Sequence, residues 1–443
     1  MNSKLIFWSL TVALGGFLFG LDTAVISGAE QNIQRLWNLD DFTHGLAVAM
    51  ALYGTVIGAM FGGIPADRIG RKMTLFWIGV LYFISAIGSA LSPDVEMFMV
   101  FRFIGGLSIG ASSVAAPLYI SEIAPARQRG RLVALFQFNI VLGILIAYVS
   151  NYLLEGKGQE DWRLMLGVVA VPSLAFTILM LFVPESPRWL LLKRGRSEEA
   201  RRILTITDPE NVDASIQAMQ ESAAAEKDQV REPLFSKKYW RPVMLAFLFA
   251  FFNQWSGINA IIYYAPRIFE DAGLGKGAAL LSSAGIGLVN LLFTMLGILL
   301  IDRAGRRMLM LIGSVGLIAA LALVSLAFNG GAGNAAYVPV LLFGFIAFFA
   351  MSQGAVIWVF ISEIFPNTVR AAGQALGSCT HWVFAAIIAN IFPVLANNPH
   401  IGASRIFLFF SGMMVLQLIF VWRLMPETKG VSLEDLGERM TDR

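Results

Sequence analysis

Asp22 and Arg102 are ionisable side chains set inside long apolar runs, at 5–29 and 95–118. If both runs are helices crossing one apolar layer, each residue stands about seven positions from the same face, so the two share a depth of roughly 10 Å. A charged side chain at the centre of a bilayer costs about 2.5–3.5 kcal/mol, which is why such residues face a cavity and pair. A carboxylate is also the group whose charge a proton cancels. Pairing with a guanidinium favours its ionised form, and losing that pair while buried favours its protonated form. The chemistry this spacing allows is proton coupling; a permanent structural ion pair is the alternative.

A second set of polar groups is scattered through the apolar runs: Gln137, Asn253, Gln254, Asn259, Asn290, Trp358, His381, Trp382 and Asn390. A buried amide without a partner costs about 1–3 kcal/mol, so this many call for an explanation. Hydrogen bonds between helices account for some. A polyhydroxylated ligand accounts for the group, since each amide both donates and accepts and a tryptophan face covers the C–H side of a sugar ring. Acids and bases are sparse among them, which points to a neutral substrate. His381 is a rival titrating group to Asp22. Tyr263 and Tyr264, just before Pro266, suit an outer gate in which the rings cover the pocket; a kink made by the proline alone is the competing reading.

The elements that position these residues are membrane spans. Charged residues make up 14% of the chain and apolar ones 57%, against about 25% charged in an ordinary globular domain. Crossing a bilayer takes about 20 apolar residues in a helix. Twelve segments qualify: 5–29, 43–66, 73–92, 95–118, 131–154, 163–183, 241–269, 277–301, 308–328, 336–361, 372–397 and 404–424. The first resembles a secretory signal in having Lys4 before an apolar run, but no small-residue cleavage site closes it before Asp22. With a cytoplasmic N-terminus the inner loops and ends hold 26 Lys and Arg and the outer ones six. That bias places both termini in the cytoplasm. The expected localisation is therefore the inner (plasma) membrane, with the lipid bilayer as surroundings and a monomer as the state.

The chain also matches itself. Asp67-Arg-Ile-Gly-Arg71-Lys72 returns as Asp302-Arg-Ala-Gly-Arg306-Arg307, Ser121-Glu122-Ile-Ala-Pro125 as Ser362-Glu363-Ile-Phe-Pro366, and Pro184-Glu185 as Pro426-Glu427. One six-helix unit used twice explains the recurrence, and an even number of spans makes the repeat parallel. The expected fold is all-α: two six-helix bundles at 1–183 and 241–424, with a helical cytoplasmic linker at 184–240 and a tail at 425–443. Asp67, Glu122, Glu185, Asp302, Glu363 and Glu427 all fall near the ends of even-numbered spans, at the negative pole of the helix dipole. Each placement is unfavourable by about 0.3–1 kcal/mol unless a cation or a neighbouring helix N-terminus compensates it. Arg71 and Arg306 follow their aspartates by four residues, and Arg129 and Arg370 follow their glutamates by seven. Together with Arg188 these residues are expected to form a cytoplasmic ion-pair lock between the halves; solvated loop charge is the plainer reading.

Other classes fit less well. A single cysteine, Cys379, and three separated histidines offer no metal-ligand spacing. The basic residues sit in short loops, which argues against nucleic acid, and Gly273-Leu-Gly-Lys-Gly277 lacks the spacing of a nucleotide loop. No cofactor and no nucleotide are expected. An enzyme would need a nucleophile and base, or a metal constellation.

Joined, the motifs Gly62-Gly63 through Lys72, Ser121 to Pro125 with Arg129-Gly130, Pro184-Glu185-Ser-Pro187-Arg188-Trp-Leu190 and Pro426-Glu427-Thr-Lys429-Gly430 resemble the sugar porter family of the major facilitator superfamily, over about residues 10–437. The resemblance implies a sugar site on the fifth, seventh, eighth, tenth and eleventh spans. Gln137, Gln254, Asn259, Asn290 and Trp358 stand at its positions. Asn253 replaces a glutamine, Gln353-Gly354-Ala355 departs from a Gly-Pro run, and His381 stands where an amide is common. Asp22 with Arg102 is similar to the pair of proton-coupled members, whereas passive members tend to carry Asn at the first position. The implied activity is import of a pentose or hexose with a proton by alternating access. A passive sugar uniporter, a proton-coupled drug exporter and a transporter-like sensor are the alternatives.

Overall fold

The computed structural model describes residues 2–440 apart from 126, 159, 229–231, 331–335, 367, 432–435 and 437–439, with backbone alone at 225–228. Much of the 425–443 tail thus lies outside the described residues. An apolar run in lipid must satisfy its backbone internally, and the helix does so. Among the described residues twelve helices are long and apolar enough to cross a membrane: α1 Ser3–Leu36, α2 Asp41–Phe61, α3 Arg71–Leu91, α4 Val95–Ile123, α5 Arg129–Leu154, α6 Asp161–Met180, α7 Lys237–Asp271, α8 Lys276–Ala304, α9 Arg306–Asn329, α10 Val338–Glu363, α11 Arg370–Ala396 and α12 Gly402–Arg423. Their number and order are those expected. Their ends run longer: α1 carries polar residues on to Leu36, and α4 and α8 take Glu122 and Asp302 into their last turns.

Close packing groups the chain into two units. The first comprises Met1–Thr23, Gly54–Ile144 and Leu166–Val230. Its core runs through Leu18, Tyr82, Tyr119, Phe176 and Met180 and takes in Trp189, Leu190 and Ala200 of the short helices Pro187–Arg194 and Ser197–Thr207. Glycine lets backbones meet here: a Cβ at Gly20 would lie 1.9 Å from the Ile140 carbonyl of α5, and one at Gly110 would lie 2.3 Å from the Thr55 carbonyl of α2. The glycine runs at 15–20 and 105–110 are packing surfaces, as their spacing predicts.

The second unit comprises Ala24–Tyr53, Leu145–Met165 and Arg231–Arg443. It is cored by Phe249, Ile357, Phe360, Phe365 and Val421. Two of its spans carry irregularities. In α7, Gly257 takes φ +86°, and any side chain there would strike the Phe410 ring at 2.4 Å. Further along, Tyr264 leaves helical geometry two residues before Pro266. In α10 a π-turn spans Ala350–Gly354, the stretch that departs from the Gly-Pro run. This division differs from the sequence halves, because Ala24–Tyr53 and Leu145–Met165 pack with the later residues.

Candidate functional site

In the first unit Asp22 and Arg102 meet as expected. Arg102 Nη1 donates to Asp22 Oδ1 at 2.9 Å and Nη2 to the Asp22 carbonyl at 3.3 Å. The side chains are 1% and 3% exposed, so water screens this pair little. Its hydrogen bonding is incomplete: Asp22 Oδ2 and Arg102 Nε are buried without partners among the described residues, as is the Tyr82 hydroxyl. Gly105 leaves room beside the carboxylate, since a Cβ there would come 3.6 Å from Asp22 Oδ2 and 2.5 Å from Ser85 Oγ. A buried carboxylate held by a guanidinium through one oxygen only is an incompletely satisfied ion pair. Gln137 lies half-buried on α5 of the same unit.

In the second unit the two parts of α7 and the middle of α11 draw an amide and imidazole chain together. Asn259 Nδ2 donates to Gln254 Oε1 at 2.5 Å, and Gln254 Nε2 donates to Asn253 Oδ1 at 3.0 Å. Gln254 Nε2 also stands 3.1 Å from each His381 ring nitrogen. A neutral imidazole has one acceptor nitrogen, so one of those two contacts is a hydrogen bond. The His381 ring packs between Trp358, at 5.0 Å between centroids, and Trp382, at 4.7 Å. Trp382 is buried while Trp358 is 38% exposed, an open aromatic face beside the amides. Asn253 Nδ2 is buried and without a partner among the described residues, a donor available to a ligand.

Two expected members are engaged otherwise. Asn290 accepts from Thr294 Oγ1 at 3.3 Å within α8. Asn390 donates to the Tyr53 hydroxyl at 3.3 Å, and its carbonyl lies where a Cβ on Gly45 would stand at 1.9 Å, so it belongs to a seam between α11 and α2. Tyr263 and Tyr264 are both buried. Tyr264 donates to the Ala389 carbonyl at 2.8 Å and stacks on Phe392.

The repeated acids build the same device once in each unit. In the first, Arg71 Nη1 holds Asp67 at 3.0 Å, and its Nε and Nη2 fork onto Glu122 at 3.0 and 3.1 Å. In the second, Arg306 holds Asp302 at 3.1 Å and Glu363 at 2.8 Å. The cations on the glutamates thus differ from those expected seven residues on. Arg129 Nε donates to the Ser121 carbonyl and Arg370 Nε to the Phe365 carbonyl, while Arg188 reaches Ser222. Arg71 and Arg306 win because the helix start that fixes them lies against the acid.

Glu185 and Glu427 escape the negative helix pole that their positions in sequence suggest. Each lies beyond its span and caps the positive end of another helix. Glu185 Oε1 accepts from the backbone N–H of Arg71 and Lys72 at 2.9 and 3.0 Å, opening α3. Glu427 accepts from those of Arg306 and Arg307 at 3.0 Å, opening α9. Burial pushes the Glu185 carboxyl up, against the pull of these N–H bonds and of Arg71. Every ion pair and cap named here closes within one unit.

The sequence reading passed over a third cluster, at the ends of α1, α2 and α7 in the second unit. Glu30 and His44 are both fully buried, and Arg267 forks onto Glu30 at 3.1 and 2.9 Å. The available signal was an acid, Glu30, eight residues after Asp22 on the same helical face.

The family model described as "Sugar (and other) transporter" matches residues 8–439. The chain is 40% identical to the probable metabolite transport protein CsbC of Bacillus subtilis (strain 168), over 97% of this chain and 93% of that one. It is 37% identical to the arabinose-proton symporter of the same organism, over 97% and 93%. Among solved structures it resembles the partially occluded inward open conformation of the xylose transporter XylE from E. coli, with a TM-score of 0.85 and 33% identity over 97% of this chain and 100% of that one.

Proposed function

This chain belongs to the sugar transporter family, and from that premise we propose that it imports a neutral monosaccharide together with a proton by alternating access. The observation that carries the proposal is the buried Asp22–Arg102 pair with its unsatisfied carboxylate oxygen. An ion pair so enclosed is expensive to keep and expensive to break, unless a proton neutralises the acid as the pair parts. Two similar proteins are named for arabinose–proton symport and for xylose transport, which suits a pentose or hexose. Asn253, Gln254, Asn259 and His381 supply the polar edge for the hydroxyls and Trp358 the face for the ring, with Trp382 backing the imidazole.

In the proposed cycle, sugar and proton enter from outside, neutral Asp22 releases Arg102, and the halves 1–183 and 241–424 rock about the site. Asp67, Arg71, Glu122, Arg129, Glu185 and Arg188, with Asp302, Arg306, Glu363, Arg370 and Glu427, act as the cytoplasmic gate, and Tyr263 and Tyr264 as the outer one. The protein works as a monomer in the inner membrane with both termini in the cytoplasm. The direct test is uptake of labelled sugars into proteoliposomes with and without an imposed pH gradient. Asp22→Asn is expected to abolish accumulation and spare sugar exchange; full accumulation by that variant would falsify proton coupling and leave a uniporter. Uptake of bulky apolar drugs without any sugar-dependent proton movement would favour an exporter.

A further inference from the structure

Glu30 lies on α1, His44 on α2 and Arg267 on α7, all within the second unit. Glu30 and His44 are fully buried, and Arg267 alone reaches the surface, at 12% exposure. The Arg267 guanidinium makes two bonds to Glu30 and a third to Gln34 Oε1 at 2.5 Å. His44 Nε2 stands 2.8 Å from Glu30 Oε2, an approach too oblique for an N–H···O bond, and neither ring nitrogen has a hydrogen-bond partner among the described residues. A buried imidazole at contact distance from a carboxylate, with both nitrogens unsatisfied, is a polar group whose bonding capacity the described residues leave unused.

The surroundings favour that proton. From α2 and its start come Asp40 and Asp41, the latter held by Gln34 and Asn397. From α7 come Glu270, held by Gln31, and Asp271, with Tyr264 edge-on to the His44 ring at 6.1 Å. The facing cations are Arg267, Lys276 at the start of α8, and Arg35, which is turned back onto Gln31 and Asn32 of its own helix. Acids outnumber cations, so an imidazolium at this point relieves repulsion. The seam it would tighten is already close, because Gly45 brings the α2 backbone onto the Asn390 carbonyl of α11.

We propose that Glu30, His44 and Arg267 form a proton-operated latch: a proton bound by His44 holds these ends of α1 and α2 against α7 and α11, and its loss lets them part. The latch is separate from Asp22, and it sets how often this end opens, whatever is carried.

Hydrogen–deuterium exchange on the full chain in lipid nanodiscs tests this without any substrate. Peptides from 24–53 and 258–271 are compared at about pH 5.5 and about pH 8, corrected for intrinsic exchange. Native protein is expected to be protected about threefold or more at the acid pH. His44→Gln and Glu30→Gln are expected to show no such rise, while protection of α9 stays native in both and reports an intact fold. Should His44→Gln fail that fold check, His44→Asn takes its place. Native protection that is flat or falls in acid overturns the latch, and so does a rise that survives loss of His44.

Discussion

Asp22 is held by a guanidinium on one oxygen and, among the described residues, by nothing on the other, and that asymmetry defines what the residue can do. A fully bonded carboxylate would resist protonation, and one without a cation would be protonated permanently. The residues proposed to face the sugar show a comparable division. Gln254 is the hub, touching Asn253, Asn259 and His381, so it orients the polar edge as well as contributing to it. Removing it strands its neighbours' buried polar atoms. Gln254→Leu is therefore expected to lose about 1–3 kcal/mol of sugar interaction, a roughly 10- to 100-fold fall in kcat/KM for uptake. Initial-rate measurements against sugar concentration check it. A change of less than about twofold would mean the amides serve helix packing alone.

At the scale of elements, the recurring motif is explained by one backbone feature. Gly70 and Gly305 adopt φ of +100° and +89°, and the carboxylates of Glu185 and Glu427 occupy the space a side chain would take, 2.1 and 2.6 Å from the Cβ positions. The glycine thus opens two helix-initiating N–H groups to an acid from beyond another span. Gly70→Ala must both strain the backbone and push Glu185 off the α3 start. It is expected to lower the melting temperature of the purified protein clearly, by about 1–3 kcal/mol of strain. Gly63→Ala, seven residues earlier and with open space around it, is expected to leave melting unchanged. Equal effects of the two would mean that the carboxylate cap contributes little.

At the scale of the whole molecule, the proposed orientation rests on charge, with 26 basic residues in the loops and ends assigned to the cytoplasm against six in those assigned outside. Protease-cleavable tags at each terminus are expected to be cut in inside-out vesicles and protected in intact spheroplasts; cleavage in the spheroplasts would reverse the topology. The order of the residues determined the twelve spans, the internal repeat and the depth shared by Asp22 and Arg102, because the repeat is read from recurring motifs and the spans and depth from hydropathy and the thickness of a bilayer. The Asp67–Arg71 pair was legible for the same reason, being one helical turn apart. Which cation holds Glu122, why Glu185 sits on a helix start, how four spaced residues become one amide and imidazole chain, and where Glu30 meets His44 were all decided by tertiary structure. These contacts join residues on different helices, and helical period constrains the face a residue takes along one helix while saying nothing of which other helix that face will meet.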